Sequence, residues 1–397
     1  MIKYDFYTYT DKKVEDLNKY KDRIDSIKAT MLKKSSMLDW LDKDTTITNE
    51  EIKRIKEISK SIREKADVFL VIGIGGSYLG AYSFIEAFKN YFTHQDTEVI
   101  FAGYSLSSEY LKDLFEYIKD KDIVVNFISK SGSTMEVNIV YQEVLKLLND
   151  KYDDITDRVI ITTDKESNLM KYATENNFVT FEVPRNIGGR YSVFSPVGLL
   201  PICVSNINVD EVLKGLEAGK EDIDKAMEYA CIRDLFYNEG KVIESFGVYE
   251  EKLLPFCEWL KQLFAETQGK ENKAILPIST CNTRDLHSLG QFYQEGNKIL
   301  FETNFKIEKT TNIYIDKYNK NLSDINNLAV DKVAEAHMNG KTYSNIITID
   351  ELNPYNLAKL MYFFMISAAT GGYLLNIDPF NQPGVEEYKK LLKDSLN

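Results

Sequence analysis

Short, uniformly apolar runs alternate with longer segments of helical periodicity in the first half of the chain. An apolar run bounded by turn residues is typical of a buried strand, whereas apolar positions three or four residues apart are typical of an amphipathic helix. The runs that predict strands are 68–72, 99–101, 123–129, 159–163 and 178–183. Helices are predicted between them, for example over 80–92 and 135–148. This alternation predicts an α/β fold with a doubly wound, mostly parallel sheet.

The same alternation returns in the second half of the chain, after a helical stretch over 193–204. The second set of predicted strands is 274–278, 299–303 and 345–349. Residues 11–66, in contrast, show charged, helical patterning without glycine or proline. The parts that we expect are an N-terminal helical segment (1–66), a first α/β domain (67–200), a second α/β domain (201–353) and C-terminal helices that pack back on the domains (354–397).

The most apolar stretch, Leu357–Leu375, is long enough to span a bilayer. It contains Lys359 and the pair Gly371-Gly372, so we predict a buried core helix and no association with a membrane. The N-terminal residues 1–13 are polar and include acidic residues, which is unlike a secretory or transit peptide. We therefore expect the protein to be cytoplasmic.

The charge and the cysteine content exclude several classes of function. The 397 residues carry a net charge of -12, so no general attraction to nucleic acid or to an anionic membrane is expected. The four cysteines lie far apart in the sequence, and the chain has only three histidines. This pattern favours neither a disulfide scaffold nor a metal site, and we expect no metal and no cofactor.

A glycine-rich turn, Gly73–Gly80, lies directly between a predicted strand and a predicted helix. Glycines there let backbone N–H groups approach an anion, and the helix N-terminus adds a partial positive charge. The turn is not a dinucleotide fingerprint, because Tyr78 occupies the third glycine position, and it is not a P-loop, because Ala81 replaces the lysine. It is either a cradle for phosphate or a tight turn without a ligand.

A second strand-to-helix turn, Ser129–Glu136, reads S-K-S-G-S-T-M-E. Its hydroxyl groups and its lysine suit a phosphate dianion, which the helix dipole would also attract. Ser133 and Glu136 match a capping box as well, so part of this turn is explained by the start of a helix. Capping requires neither Lys130 nor the remaining hydroxyl groups, and we therefore predict phosphate binding here.

Four further segments carry residue types that suit proton transfer and charge stabilisation. Arg190 follows two glycines and could present its charge to an oxyanion, although a surface salt bridge would also explain it. Glu266 and His287 suit proton transfer at carbon and at oxygen, but the sequence alone does not bring them together. Gln382 and Lys389 lie about two turns apart, close to one face of the last predicted helix.

In this order, the motifs resemble those of the glucose-6-phosphate isomerase family over residues 67–390. The matching segments are G-I-G-G-S-Y-L-G (73–80), S-K-S-G-S-T (129–134), G-G-R-Y-S (188–192), E-T-Q-G-K (266–270), D-L-H-S-L-G-Q (285–291) and Q-P-G-V-E-E-Y-K (382–389). The resemblance implies two sugar-isomerase α/β sandwich domains with a C-terminal helical segment. It also implies a homodimer that interconverts glucose 6-phosphate and fructose 6-phosphate, in glycolysis and gluconeogenesis, without a cofactor.

The resemblance assigns a role to each matching position. Glu266 matches the base that moves a proton between C2 and C1, and Arg190 matches the arginine that stabilises the negative cis-enediol intermediate. His287 matches the ring-opening histidine, which in this family comes from the neighbouring subunit, and Lys389 assists at the sugar oxygens. The positions that match substrate-binding residues are Gly76, Ser77, Ser129, Lys130, Ser131, Thr134, Gly189, Gln262 and Gln382.

The chain also departs from the family pattern. It is shorter than typical relatives between Phe305 and Glu335 and after Lys389, and Ser131-Gly132 replaces a threonine and a bulkier residue. Two other functions stay open: a related isomerase that acts on a mannose or amino-sugar phosphate, and a non-catalytic phosphosugar-binding protein. If Glu266 is not the base, Glu295 is the next candidate.

Overall fold

The computed structural model describes residues 1–33, 37–93, 95–130, 132 and 134–396. In chain order, its strands are β1 (Ile2–Tyr9), β2 (Val68–Ile72), β3 (Glu98–Ala102), β4 (Ile123–Ile128), β5 (Val159–Thr163), β6 (Val179–Glu182), β7 (Ile243–Val248), β8 (Leu276–Cys281), β9 (Leu300–Lys309), β10 (Tyr314–Ile315), β11 (Lys320–Asn321) and β12 (Ser344–Glu351). Its α-helices are α1 (Lys21–Leu32), α2 (Lys43–Thr46), α3 (Asn49–Lys65), α4 (Leu79–Phe88), α5 (Ser108–Ile118), α6 (Met135–Lys151), α7 (Asn168–Glu175), α8 (Pro196–Val204), α9 (Val209–Ala218), α10 (Ile223–Asn238), α11 (Leu254–Gln268), α12 (Leu286–Glu295), α13 (Leu322–Asn339), α14 (Pro354–Leu374) and α15 (Glu386–Leu396). The chain forms two compact units, which we call the first unit (34–217) and the second unit (1–33 with 218–397).

The first unit is built on a five-stranded sheet with the order β3-β2-β4-β5-β6, in which neighbouring strands are parallel. Helices cover both faces of this sheet, so β2 and β4 are buried along their whole lengths and are uniformly apolar apart from Asn126. One face shares a hydrophobic core with α5, α6 and α7. On the other face, α8 packs against α3, α4 and β2.

The second unit contains a five-stranded sheet with the order β1-β12-β9-β7-β8 and a separate hairpin of β10 and β11. β1 is antiparallel to β12, and the other neighbours in the large sheet are parallel. These sheets and their helices confirm the α/β fold with mostly parallel strands that the sequence predicts.

The strand β1 was not predicted, because only Ile2 and Phe6 of its eight residues are buried and its polar positions resemble a surface segment. It nevertheless pairs with β12, with Ile2 opposite Ile349. Residues 1–33 therefore belong to the second unit, whereas α3 belongs to the first. The divisions between the units fall between residues 33 and 34 and between residues 217 and 218. The domain boundaries expected at 66/67, 200/201 and 353/354 stay predictions.

Helix α14 lies in the core of the second unit. It is long and apolar enough to cross a membrane, yet 89% of its most apolar window is buried inside the folded chain. Phe364 lies edge-on to four aromatic rings or at a steep angle to them, and these rings come from α11 and from two strands of the sheet: Phe246, Phe256, Phe264 and Phe305. Aromatic edge-to-face packing of this kind adds to the energy of burial. This burial agrees with the core helix that the sequence predicts for this stretch.

The strand order of the first unit changes direction at one point along the edge of its sheet. From β2 the chain passes to β3 on one side and later to β4 on the other side, so the carboxyl ends of β2 and β4 flank a topological switch point. Ligands of open α/β sheets bind at such points. The turns that follow β2 and β4 are therefore the first places to look for a functional site.

Replacing Phe364 with alanine should lower the free energy of unfolding of the second unit by about 3–5 kcal/mol, because a large buried side chain is lost and a cavity remains. Phe92→Ala is the matched control, since Phe92 is 97% exposed and its loss should leave stability unchanged. Urea unfolding followed by circular dichroism measures both. Equal unfolding midpoints for the two variants would contradict the central place of α14 in the core.

Candidate active site

The glycine turn after β2 touches the backbone of a distant loop. A methyl group built on Gly76 would lie 2.1 Å from the carbonyl oxygen of Gly189 and 2.8 Å from the backbone nitrogen of Arg190. Neither neighbour is the end of a flexible side chain, so only glycine allows this approach. Gly76 and Gly189, both predicted to bind substrate, are thus in contact with each other.

In the turn after β4, a side chain bonds the backbone of the same turn. The hydroxyl oxygen of Ser129, which is 4% exposed, accepts a hydrogen bond of 3.0 Å from the backbone N–H of Gly132. Helix α6 follows directly, with Thr134 as its N-cap residue, and the Thr134 hydroxyl makes no cap hydrogen bond to the part of the chain that the structure describes. The predicted site residue Ser131 and the proposed capping residue Ser133 lie outside the described residues.

Lys130 connects this turn to the loop after β6. Its amine donates hydrogen bonds of 2.8 Å to the carbonyl oxygen of Arg185 and 3.0 Å to that of Ile187. Burial lowers the pKa of the Lys130 amine from the ordinary lysine value. The sequence predicted that Lys130 helps to bind a phosphate group. In the structure, its amine bonds the backbone of the loop that leads to Arg190.

Arg190 lies in the 3₁₀ turn Gly189–Tyr191 and is 2% exposed. Ser192 fixes the turn by donating a hydrogen bond of 2.7 Å from its hydroxyl to the carbonyl of Gly189. Arginine carries a positive charge, and this charge is buried directly after Gly188 and Gly189 in the sequence. Together with the turns after β2 and β4, this arrangement suits an anion at the carboxyl edge of the first sheet.

Asn138 and Thr163 are two residues of this region that the sequence did not single out. The Asn138 amide donates to the carbonyl oxygens of Gly132 and Thr134, at 3.0 and 2.9 Å. The Thr163 hydroxyl donates a 2.7 Å hydrogen bond to the carbonyl of Ser129. Asn138 lies one helical turn beyond Thr134, and that spacing was the available signal, because amides reach back to the carbonyls of a helix start.

Glu266 and Gln262 of the second unit contact each other on α11. They are four residues apart, so they lie on one face of the helix, and the Gln262 amide donates a 3.0 Å hydrogen bond to a carboxylate oxygen of Glu266. Both side chains are half-buried. An amide donor orients the carboxylate, and a general base must be held in a defined orientation.

His287 is exposed in the first turn of α12. The loop before it is held by Asp285, whose carboxylate accepts a 2.7 Å hydrogen bond from the backbone of Cys281 and pairs with Arg284 at 2.8 Å. Leu289 and Phe292 on the same helix are 38% and 42% exposed. The helix that carries the exposed imidazole therefore also exposes apolar side chains.

Gln382 and Lys389 are exposed near the end of the chain. Gln382 precedes the 3₁₀ turn Pro383–Val385, and Lys389 lies in α15, where its amine is 3.2 Å from a carboxylate oxygen of Glu386. The intervening 3₁₀ turn breaks the single helix on which the predicted spacing rested. Every residue of α15 within the described chain is exposed.

A metal site was not expected from the sequence. Within residues 1–33, 37–93, 95–130, 132 and 134–396, no group of three or more His, Cys, Asp or Glu side chains could hold a metal ion. The four cysteines are buried as free thiols.

Comparison with known proteins finds relatives that extend over most of the chain. The model of the phosphoglucose isomerase family matches residues 48–280. The glucose-6-phosphate isomerase of Bacillus cereus (strain AH187) is 41% identical over 385 residues, which cover 90% of this chain and 86% of that protein. The glucose-6-phosphate isomerase of Bacillus anthracis is 40% identical with the same coverage.

Two solved structures share the fold. A hypothetical protein from Thermus thermophilus has a TM-score of 0.91 at 25% identity, with 100% of both chains covered. A glucose-6-phosphate isomerase from Chlamydia trachomatis D/UW-3/Cx has a TM-score of 0.77 at 19% identity, covering 87% of this chain and 73% of that chain. At that identity the second structure supports the fold alone.

Gly76→Ala should weaken the binding of inorganic phosphate, because the added methyl group forces the turns of Gly76 and Gly189 apart. Overpacking of this kind costs about 1–3 kcal/mol, so we expect the affinity to fall by about tenfold or more. Gly188→Ala is the matched control, since its methyl group would meet its nearest neighbour, Met37, at an ordinary 3.6 Å. Titration calorimetry measures both affinities, and equal values would argue against an anion site at this edge.

Proposed function

Because the chain belongs to the phosphoglucose isomerase family, we propose that it interconverts D-glucose 6-phosphate and D-fructose 6-phosphate through a cis-enediol intermediate. The observation that carries this function is the 41% identity to a glucose-6-phosphate isomerase over 90% of the chain. The reaction belongs to glycolysis and gluconeogenesis, and we propose that it takes place in the cytoplasm.

The first unit supplies the groups that we assign to the phosphate. The backbone N–H group of Gly76 and the hydroxyl groups of Ser77, Ser129 and Thr134 are donors that suit a dianion. Ser131 joins them on the motif match alone, since it lies outside the described residues. Lys130 contributes its charge and holds the neighbouring loop through two carbonyl oxygens. Phosphate binding of this kind supplies remote binding energy that fixes the sugar for reaction.

The chemistry requires a base at C2 and stabilisation of the charge that follows. We assign the proton transfer from C2 to C1 to Glu266, whose carboxylate accepts a hydrogen bond from Gln262. The Arg190 guanidinium stabilises the negative cis-enediol, since a fixed charge placed where an oxyanion develops lowers the barrier. Gln382 and Lys389 contact the sugar oxygens.

Ring opening requires a proton transfer at oxygen, and we assign it to His287 of the partner subunit in a homodimer. Two observations support this assignment. His287 is exposed on α12, and Leu289 and Phe292 expose apolar surface on the same helix. Apolar side chains that are exposed on the helix of a functional residue are typical of protein interfaces.

Glu266→Gln keeps the shape of the side chain and removes its basicity. The rate constant should fall by about 10²–10⁴-fold, the usual contribution of a general base, while substrate affinity stays close to that of the wild type. A coupled assay with glucose-6-phosphate dehydrogenase measures the conversion of fructose 6-phosphate. Exchange of the C2 proton with deuterium oxide measures the proton transfer itself.

The control for that experiment is Glu295→Gln, in the exposed Gln291–Glu295 pair of α12. We expect it to retain the wild-type rate. If Glu266→Gln exchanges the C2 proton at the wild-type rate and Glu295→Gln does not, the base is Glu295. A wild-type protein that does not convert fructose 6-phosphate would contradict the function as a whole.

A shared site predicts complementation between two inactive proteins. Glu266→Gln and His287→Ala proteins, mixed and refolded together, should regain part of the activity, because some heterodimers contain one site with both native residues. Differential affinity tags on the two proteins allow the heterodimer to be purified and assayed. Inactive, verified heterodimers would rule out a His287 that acts across the interface.

A further inference from the structure

Arg233 of α10 is buried in the second unit and has no assigned role in the proposed reaction. Its side chain is 2% exposed, and its guanidinium pairs with the Glu244 carboxylate at 2.7 Å. A second nitrogen of the same guanidinium donates a 2.9 Å hydrogen bond to the amide oxygen of Gln268. Burying a charge is expensive unless its partners are well placed, so an apolar residue at this position would be the simpler way to fill the core.

The partners of Arg233 are themselves fixed. Glu244 is fully buried on β7, and it also accepts hydrogen bonds from the hydroxyl groups of Tyr229 and Thr303, the latter at 2.8 Å. These bonds hold the carboxylate in one orientation and hence hold the guanidinium that pairs with it. The Arg233 side chain is therefore held in one position between the sheet and the helices that cover it.

One face of helix α11 contacts the Arg233 guanidinium. Phe264 lies under the guanidinium, with its ring centre 4.0 Å from the central carbon, and Gln268 accepts the hydrogen bond one turn later. Phe264 and Gln268 are thus a pair of residues four apart. Gln262 and Glu266 form a second pair with the same spacing, two residues earlier in the helix. Two residues correspond to about 200° around an α-helix, so the pair with Glu266 lies on the opposite side of α11 from the pair attached to Arg233.

Gln268 is held from its other end as well. Its amide nitrogen donates a 3.0 Å hydrogen bond to the carbonyl oxygen of Ala368 on α14. A methyl group on Gly371 would lie 2.3 Å from that nitrogen, so α14 has a glycine where the Gln268 amide needs room. Both ends of the amide are bonded, and the last turn of α11 is fixed between α10 and α14.

We propose that Arg233 and Gln268 are positioning residues for Glu266. By fixing the buried side of the last turn of α11, they set the depth and rotation at which the carboxylate two residues away is presented on the other side. This inference rests on the proposed function, in which Glu266 is the base. It accounts for Gln268 in the E-T-Q-G-K segment, whose side chain does not point to a chemical step.

The test compares Gln268→Met with Asn356→Leu. Gln268→Met keeps volume and removes both hydrogen bonds of the amide, while Arg233 keeps Glu244. Asn356 is a matched control, because it is a buried amide of the same unit, 3% exposed, that bonds Asp350 and Glu351 at the start of α14. Both variants should lose stability. Arg233→Lys is a second variant, since lysine keeps the charge but lacks the fork that joins Glu244 to Gln268.

For the folded fraction of each protein, kcat of Gln268→Met should fall by about 10- to 100-fold with KM within about twofold, because a base displaced by a fraction of an ångström transfers protons slowly. Exchange of the C2 proton should fall in parallel. Asn356→Leu should keep the wild-type kcat. In the Glu266→Gln background, Gln268→Met should cause no further loss, since it acts through the carboxylate that is already absent.

Wild-type kcat in both Gln268→Met and Arg233→Lys, with stability lost as in Asn356→Leu, would overturn the inference and leave the isomerase function intact. An additional loss in the Glu266→Gln background equal to that in the wild type would overturn it too, because the residues would then act independently of Glu266. Full activity of Glu266→Gln itself would overturn both this inference and the assignment of the base.

Discussion

The parallel pairing of β2, β4, β5 and β6 fixes the place of the functional groups in the first unit. Parallel strands send their carboxyl ends to one edge of a sheet, so the loops that follow them emerge side by side. The loop after β6 contacts the turn after β2 at Gly76 and receives both hydrogen bonds of Lys130 from the turn after β4. Three segments that are distant in sequence thus form one layer around the switch point.

Within that layer, the proposed phosphate site consists largely of backbone groups and short side chains. A site built from N–H groups and short hydroxyl side chains is held rigidly by the sheet behind it, whereas long side chains would have to lose conformational entropy on binding. Gly76 allows two backbones to touch, and Asn138 and Thr163 bond the carbonyl oxygens of the turn after β4. Three carbonyl groups that would repel an anion, those of Ser129, Gly132 and Thr134, are engaged in this way.

In the second unit, the proposed base Glu266 lies on a helix, so its position depends on how that helix is held. Packing of aromatic rings around Phe364 provides cohesion, but apolar contacts are tolerant of small slides and rotations. The bonds of Arg233 to Glu244 and Gln268 are directional, and a misplaced partner would leave a buried charge unsatisfied. The buried polar groups next to α11 therefore restrict a helix that the apolar core alone would leave less well defined.

The sequence by itself determined the α/β class, the strands β2, β4 and β5, and the turns in which the motifs lie, because a strand that is buried on both faces is mostly apolar and the turns that follow must bend sharply. It also determined the family, through six motifs in one order. Only the tertiary structure decided that β1 joins the sheet of the second unit, that Lys130 bonds carbonyl groups 55 and 57 residues away, and that Arg233 reaches Gln268 35 residues away. Local periodicity reports whether a segment is buried, but the choice of a partner depends on which distant segments the fold brings within hydrogen-bond distance, and that information is not contained in any short stretch of the chain.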